Sequence, residues 1–188
     1  MAVPLAEFDK YRPWSHRAAW MVACATFPLI WVGGLVTTYD AGMAVPDWPS
    51  TFGYNLFLYP WQSWIAGPWD LFIEHGHRLL GSLVGLLAIL LVVTTWSDTR
   101  RWVRNLSIAA LLLVILQGVL GGQRVVLNDR RIAQLHGCVG PLFFVLVVML
   151  TTITSRAWRR PLAEDQGNAH GGGNDGRENH RGVAVLTG

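Results

Sequence analysis

The segment IEHGHRLLG, residues 73–81, concentrates ionisable side chains at the start of a long apolar run. Glu74, His75, His77 and Arg78 directly precede a stretch of almost purely apolar residues. Ionisable residues inside a membrane-spanning segment are energetically costly, so their default interpretation is a functional site with a partner residue. A carboxylate beside imidazoles offers two kinds of chemistry, proton transfer and metal ligation.

A third histidine, His136, is the predicted partner, and it lies early in the last apolar run within IAQLHG. Counted back from the ends of their runs, at Trp96 and Ser155, His77 and His136 are each 19 residues away. This corresponds to roughly 28 Å along a helix at 1.5 Å per residue. Two imidazoles that face each other at one height across a helical bundle can ligate a single haem iron from both sides. We therefore predict that His77 and His136 are haem-iron ligands.

The helical period separates the roles of the neighbouring residues. His75 lies about 200° around the helix from His77, so both cannot face the same iron. Glu74 precedes His77 by three residues, shares its face and lies about one turn nearer the surface. Its carboxylate can stabilise developing positive charge, move protons or hydrogen-bond an imidazole, and composition leaves these alternatives open.

Small residues lie on the helix faces that carry the predicted ligands. Gly81 and Gly85 follow His77 by four and eight residues. Gly140 follows His136 by four residues, so each ligand has a small residue on its own face. The glycines that can open the remaining walls for a flat porphyrin are Gly33, Gly34, Gly118, Gly121 and Gly122. The alternative is that these glycines only allow the helices to approach closely.

The elements that must position these residues are four predicted membrane-spanning helices. Of the 188 residues, 52% are hydrophobic and 14% are charged, which is too apolar for an ordinary soluble domain. The predicted spans are residues 18–36, 71–96, 106–126 and 132–154. Each approaches or exceeds the roughly 20 residues that cross the hydrocarbon core as a helix. We therefore predict an all-α integral membrane protein whose residues 18–155 form a four-helix bundle of up-down-up-down order.

Positive charges predict the orientation of this bundle in the cell (inner) membrane. They precede the first span, separate the second from the third and follow the fourth, at Lys10, Arg12, Arg17, Arg100, Arg101, Arg104, Arg156, Arg159 and Arg160. The positive-inside rule makes this side cytoplasmic and places the loop 37–70 outside. Both termini, segments 1–17 and 156–188, are then cytoplasmic, and the polar tail is expected to be disordered. The net charge of +3 reflects these inner segments and does not indicate nucleic-acid binding.

Three arginines break this charge pattern. Arg124, Arg130 and Arg131 fall in the outer turn between the third and fourth spans, where positive charge is disfavoured. Together with Arg78, they suit the propionates of a haem through charge-assisted hydrogen bonds. The alternative is that the inner majority of positive charges simply tolerates three outer arginines.

Three segments, in this order, resemble the haem A synthase family, which converts haem O into haem A for cytochrome oxidase. They are GGLVTTYDAGMAVPDWPSTFG (33–53), EHGHRLLG (74–81), and QGVLGG (117–122) followed by IAQLHG (132–137). The resemblance implies that a porphyrin methyl group is oxidised to a formyl group by successive hydroxylations. It also implies that Glu74 is a catalytic acid and that His77 and His136 hold haem O as the substrate.

The chain departs from the family pattern in two respects. The usual architecture has eight helices in two bundles, with the substrate haem in the first and a haem b in the second, and this chain resembles only the first. Activity then requires a homodimer or a second four-helix bundle protein, alongside a haem O-producing enzyme and the cytochrome oxidase pathway. Many bacterial relatives also carry a cysteine pair around the Asp-Trp-Pro element. Here those neighbourhoods read Val45 and Thr51, which excludes a redox-active disulfide there.

Other interpretations of the chain stay open at this point. It can be a bis-histidine, b-type electron-transfer subunit that binds haem b without substrate chemistry, or an inactive truncated half. It can also be a cofactor-free assembly or scaffold protein. In the outer loop, Trp48 either covers the outer edge of a porphyrin or is an interfacial tryptophan.

Overall fold

A computed structural model describes residues 11–158. It contains four long helices, α1 Pro13–Thr38, α2 Trp69–Thr95, α3 Arg101–Val126 and α4 Arg130–Thr154. All four are long and apolar enough to cross a membrane. Between α1 and α2, the chain forms a 3₁₀ helix, Ala41–Met43, and a short α-helix, Trp61–Ile65. These findings confirm the predicted all-helical class with four apolar helices. Most of the predicted disordered tail, and the charged residues Lys10, Arg159 and Arg160, lie outside the described residues.

All four helices begin before their predicted apolar runs, and two of them begin five residues earlier. α1 begins at Pro13 and α3 at Arg101, whereas the predicted spans begin at residues 18 and 106. Proline is well tolerated at the first helical position, because the N–H of any residue there has no hydrogen-bond partner within the helix. Hydropathy marks only the apolar part of a helix, and these polar first turns extend beyond that part.

Each long helix packs against two others. α1 contacts α2 and α4, and α3 contacts the same two helices, so α2 and α4 face each other across the bundle. The hydroxyl of Ser15, near the start of α1, donates to the carbonyl of Thr94, near the end of α2, at 2.8 Å. His16 Nδ1 lies 3.1 Å from the carbonyl oxygen of Thr151, near the end of α4. These contacts join the start of α1 to the ends of both neighbouring helices.

The tightly packed apolar core occupies one half of the bundle. Its buried side chains are Ala18, Ala19, Val22, Val84, Leu91, Val103, Ala110, Phe143, Val147, Leu150 and Ile153. They come from the first half of α1 and α3 and from the second half of α2 and α4. His77 and His136 lie in the first half of α2 and α4, toward the opposite end. The larger apolar core is therefore apart from these histidines, and a smaller buried cluster of Val36, Ala41 and Ile73 lies at their end of the bundle.

The outer faces of the bundle are apolar as well. Every long helix carries large exposed apolar side chains, among them Trp31, Leu86, Leu112 and Val145. Water disfavours such surfaces when they are extensive, whereas lipid tails solvate them. The exposed faces are therefore consistent with a bilayer around the four helices.

Candidate functional site

The structure brings His77 of α2 and His136 of α4 together. Their ring centroids lie 6.2 Å apart, and the two ring planes are nearly perpendicular, at an angle of 85°. Two nitrogens about 2 Å from one metal, each about 1.2 Å from its own ring centre, place the ring centres about 6.4 Å apart. The observed separation therefore fits two axial ligands on one haem iron.

His136 is held by Gln117 of α3. His136 Nδ1 lies 3.2 Å from the carbonyl oxygen of Gln117, and Gln117 Nε2 donates to the carbonyl oxygen of His136 at 3.0 Å. When Nδ1 donates, Nε2 is the unprotonated nitrogen that a metal can use. Gln117 is not among the predicted site residues. A polar side chain in the middle of the third apolar run is the signal that could have identified it.

His77 lies against α1 at Gly33. A Cβ added to Gly33 would be 2.9 Å from the Cε1 atom of the His77 ring. The Nδ1 atom of His77 is buried and has no hydrogen-bond partner among residues 11–158. A buried polar atom without a partner is costly. The ring of His77 therefore packs closely against α1 with one unsatisfied polar atom, and its role as a ligand stays a prediction.

The glycines near the predicted ligands differ in their surroundings. A Cβ added to Gly81, Gly85 or Gly118 would meet no heavy atom within 4 Å. Gly81 and Gly85 also line an apolar groove of about 350 Å³ between α2 and α3. A Cβ added to Gly140, by contrast, would lie 3.2 Å from Gln117 Nε2. An added side chain would thus meet open space at Gly81 and Gly85 but a neighbouring amide at Gly140. Room for a porphyrin on the ligand faces stays a prediction.

Glu74 is buried, with 1% of its surface exposed, and both of its carboxylate oxygens are engaged. Oε2 accepts a hydrogen bond from the backbone N–H of Val45 at 2.8 Å. Oε1 accepts one from Arg78, also at 2.8 Å. The carboxylate therefore connects the outer loop to α2 at a point one helical turn from His77.

Arg78 gathers the outer loop onto α2. Besides its ion pair with Glu74, it donates to the carbonyl oxygens of Val45 and Asp47, each at 2.8 Å, and of Ser50 at 3.0 Å. Several acceptors from one short segment thus converge on a single guanidinium. These contacts satisfy the hydrogen-bonding groups of the largely buried guanidinium. Its predicted role toward a haem propionate stays a prediction.

The three outer arginines occupy different environments. Arg124 is partly buried against Gly42, where an added Cβ would lie 3.0 Å from a guanidinium nitrogen. Glu74 and Arg78 both act on it electrostatically, yet no residue in the described range 11–158 forms a hydrogen bond or ion pair with it at contact distance. Arg130 and Arg131 are exposed at the start of α4. Of the three, only Arg124 lies between the loop and the bundle.

His75 faces the outer loop and not the bundle axis. Its Nδ1 lies 3.1 Å from the hydroxyl of Thr51, and its ring centroid lies 5.2 Å and 5.3 Å from those of Tyr59 and Trp64. The expectation that this histidine turns away from the ligand face is confirmed. Val45 and Thr51, the two positions compared with a cysteine pair, are both fully buried, and each forms a hydrogen bond to α2.

Trp48 extends the loop across to α3. Its indole ring packs over Gly122, and a Cβ added there would overlap the ring. Only glycine therefore permits this contact. The side chain packs the loop against α3 but remains 38% exposed. The role of Trp48 at a porphyrin edge stays a prediction.

Asp47 organises the tip of the loop. Its carboxylate accepts hydrogen bonds from the backbone N–H groups of Phe52 and Gly53 at 2.8 Å and 2.9 Å, and from the hydroxyl of Ser50. Burial raises the pKa of Asp47, but these hydrogen bonds outweigh burial and hold the pKa below its ordinary value of 3.8. A lowered folded-state pKa means that the stabilisation is complete above about pH 4 and is lost as the pH falls below that value.

Replacing Asp47 by Asn should loosen this loop at pH 7, because a neutral amide is a weaker acceptor than a carboxylate. We expect chymotrypsin to cleave the variant several-fold faster than the parent at the exposed Tyr54 and Phe57. With pepsin at progressively lower pH, the difference between the two proteins should shrink as the carboxylate becomes protonated. Asp70→Asn, a change at an exposed carboxylate, is the control and should match the parent. Equal cleavage of parent and Asp47→Asn at pH 7 would contradict this account.

Four apolar helices that are long enough to cross a membrane define a multi-pass membrane protein. A pair of opposed histidines near one end of the bundle is its candidate ligand-binding site. Comparison with known families places the chain more narrowly. The family described as cytochrome oxidase assembly protein matches residues 68–173, more than half of the chain. The chain belongs to this family, and the predicted relationship to haem A synthases is confirmed.

The curated relatives it matches are named haem A synthases. Those of Alkalihalophilus pseudofirmus and Shouchella clausii are each 33% identical over 125 residues, which is 64% of this chain and 40% and 39% of the relatives. The protein of Geobacillus kaustophilus is 26% identical over 141 residues, 71% of this chain and 42% of the relative. The chain thus spans about two fifths of the length of these relatives. No solved structure gives a significant match.

Proposed function

We propose that this protein binds a haem between His77 and His136 and acts in haem A biosynthesis, oxidising a porphyrin methyl of haem O to a formyl group. The observation that carries the proposal is the 6.2 Å separation of the two ring centroids across the bundle. Family membership and the names of the matched relatives support the choice of reaction. The haem would lie toward the end of the bundle that the outer loop covers.

The proposal includes an orientation in the inner cell membrane. The helices follow an up-down-up-down order, with both termini on the cytoplasmic side. The contacts from the start of α1 to the ends of α2 and α4 support this order. The positive residues at that end of the bundle support the cytoplasmic assignment. The histidines and the outer loop then face the extracytoplasmic side.

The residues around the pair have distinct proposed roles. His77 and His136 would hold a bound haem through its iron, and the haem would supply the redox-active centre. Gln117 orients the ring of His136 from α3. Arg124 would pair with a propionate, because its partly buried guanidinium has donors to spare. Arg78, Arg130 and Arg131 are further propionate partners in this proposal. Arg78 would bind a propionate and also keep its hydrogen bonds to the loop.

Glu74 is the proposed catalytic carboxylate. Conversion of a methyl to a formyl group is a four-electron oxidation. Written with water as the source of the oxygen atom, it adds one oxygen and releases four protons and four electrons. A buried carboxylate one turn from an axial ligand is placed to receive or relay those protons. A second copy of the chain or a separate four-helix bundle protein would carry the electrons away.

The proposal is tested by measuring haem in the purified protein, in detergent and with its native membrane partners retained. The parent should show a Soret band, whereas His77→Ala and His136→Ala should each lower haem content at least about tenfold, because a lost axial ligand removes a metal bond. His16→Ala is the control, since His16 lies at the opposite end of the bundle, and it should retain haem. A parent protein without a Soret band after expression with ample haem would overturn the proposal and favour a cofactor-free scaffold.

The second candidate function is b-type electron transfer, which the opposed histidines fit equally well. Chromatography and mass spectrometry of the extracted pigment separate the two functions. Haem O together with haem A indicates the oxidase reaction. Haem b alone, with reversible redox behaviour and no haem A, indicates an electron carrier.

A further inference from the structure

The two histidines contact the preceding helix in the same way. His77 of α2 lies against Gly33 of α1, and His136 of α4 lies against Gly121 of α3. A Cβ added to Gly33 would lie 2.9, 3.4 and 3.7 Å from the Cε1, Nδ1 and Nε2 atoms of His77. A Cβ added to Gly121 would lie 3.2, 3.5 and 3.7 Å from the same three atoms of His136. The order of atoms is identical, so each ring presents the same edge to its glycine.

A backbone carbonyl lies beside the ring of His136. Gln117 precedes Gly121 by four residues, and its carbonyl oxygen lies 3.2 Å from His136 Nδ1. Leu29 precedes Gly33 by the same four residues, but Nδ1 of His77 forms no hydrogen bond with any of residues 11–158. The bare backbone at Gly121 lets the imidazole of His136 approach the carbonyl one turn earlier.

We propose that Gly33 and Gly121 are positioning residues that set the ring orientations of His77 and His136. This inference rests on the proposed haem-binding function. When Nδ1 of His136 donates to the carbonyl of Gln117, its Nε2 is left unprotonated and free for a metal. The glycines thus act on the iron through the histidines and do not merely allow the helices to pack.

Alanine at each position should disturb the ring by a different amount. A Cβ at 2.9 Å from His77 forces the imidazole to move, whereas 3.2 Å at His136 requires a shift of only a few tenths of an ångström. Gly34 and Gly137 are the matched controls. Gly34 was predicted as one of the glycines that can open a wall, but the structure leaves both positions exposed, and an added Cβ at either meets no heavy atom within 4 Å. Alanine at the controls changes helix propensity in the same way without touching a ring.

The first test is spectroscopic and uses ferric haem b as the probe, titrated into the detergent-purified protein with its native partners retained. The parent should give the low-spin spectrum of two imidazole ligands. Gly33→Ala should weaken haem binding by about 10- to 100-fold and produce a high-spin fraction, as expected when a residue that orients a ligand is lost. Gly121→Ala should change in the same direction by less, and Gly34→Ala and Gly137→Ala should match the parent.

The second test needs no haem and measures the thermal stability of Gly33→Ala in two backgrounds. The substitution should destabilise the protein when His77 is present and be neutral or stabilising in His77→Ala, because the clash requires the ring. A Gly33→Ala protein that fails to fold, while Gly33→Ala/His77→Ala folds, also supports the inference. Failure of both, or a Gly33→Ala protein with the spectrum and affinity of Gly34→Ala, overturns it. A parent that binds no haem instead overturns the proposed function, so the two failures are distinguishable.

Discussion

Replacing Arg78 by methionine should lower the free energy of unfolding by about 3 to 5 kcal/mol, the usual cost of removing one partner from a buried ion pair. The change leaves the carboxylate of Glu74, whose side chain is 2% exposed, without its positive partner. It also leaves the carbonyl oxygens of Val45, Asp47 and Ser50 without their donor. Thermal unfolding in detergent, followed by far-ultraviolet circular dichroism, measures the loss.

Two variants distinguish this effect from a general loss of positive charge. Arg101→Met removes an exposed arginine at the other end of the bundle and should change stability by less than about 0.5 kcal/mol. Glu74→Gln combined with Arg78→Met should recover part of the loss, because the buried charge is then absent. If Arg78→Met unfolds at the same temperature as the parent, the guanidinium does not hold the loop.

Glu74→Gln should lower the rate of formyl formation by a hundredfold or more while haem stays bound, which is roughly the contribution of a positioned general acid or base. The amide fills the same space but cannot take up a proton at neutral pH. The carboxylate now accepts hydrogen bonds from two donors, the Val45 N–H and Arg78, and the single oxygen of the amide can replace only one of its two acceptor atoms. We therefore also expect a stability loss of about 1 to 3 kcal/mol. Mass spectrometry of the pigment after incubation with haem O measures the product.

Companion variants separate lost chemistry from lost structure. Glu74→Asp keeps a carboxylate on a shorter side chain and should retain more activity than Glu74→Gln. Asp70→Asn, at an exposed position in the first turn of α2, should leave the rate unchanged. If Glu74→Gln converted haem O at the parent rate with unchanged haem content, Glu74 would have only its structural role in the loop.

The contacts of the outer loop are the part of the site that sequence patterns did not predict. The spacing of His75 and His77 correctly predicted that the two rings diverge, because two residues along a helix always differ by about 200°. No such rule relates Arg78 to the carbonyl of Asp47, or Trp48 to Gly122. These pairs form because an irregular loop crosses the start of α2 and the end of α3. The path of the loop depends on all the contacts that it makes.

The glycines illustrate the same division at single residues. Their presence near His77 and His136 was evident from spacing, and an added Cβ at Gly81 or Gly85 meets no heavy atom within 4 Å. Gly33 and Gly121 instead contact the ligand rings, and Gly122 contacts an indole. A glycine in a sequence indicates that something approaches closely, but the neighbour that approaches belongs to another helix or to a loop.

The sequence by itself determined the membrane class, the four spans, the family and the pair of histidines at one depth. Each of these follows from hydropathy, helical periodicity or an ordered set of motifs, which are properties of local stretches of chain. Only the tertiary structure decided that Arg78 and Glu74 hold the loop, that Gln117 holds His136 and that Arg124 lies partly buried with no hydrogen-bond or ion-pair partner among residues 11–158. Those contacts join residues far apart in the chain, and their geometry is set by how the helices and the loop pack together.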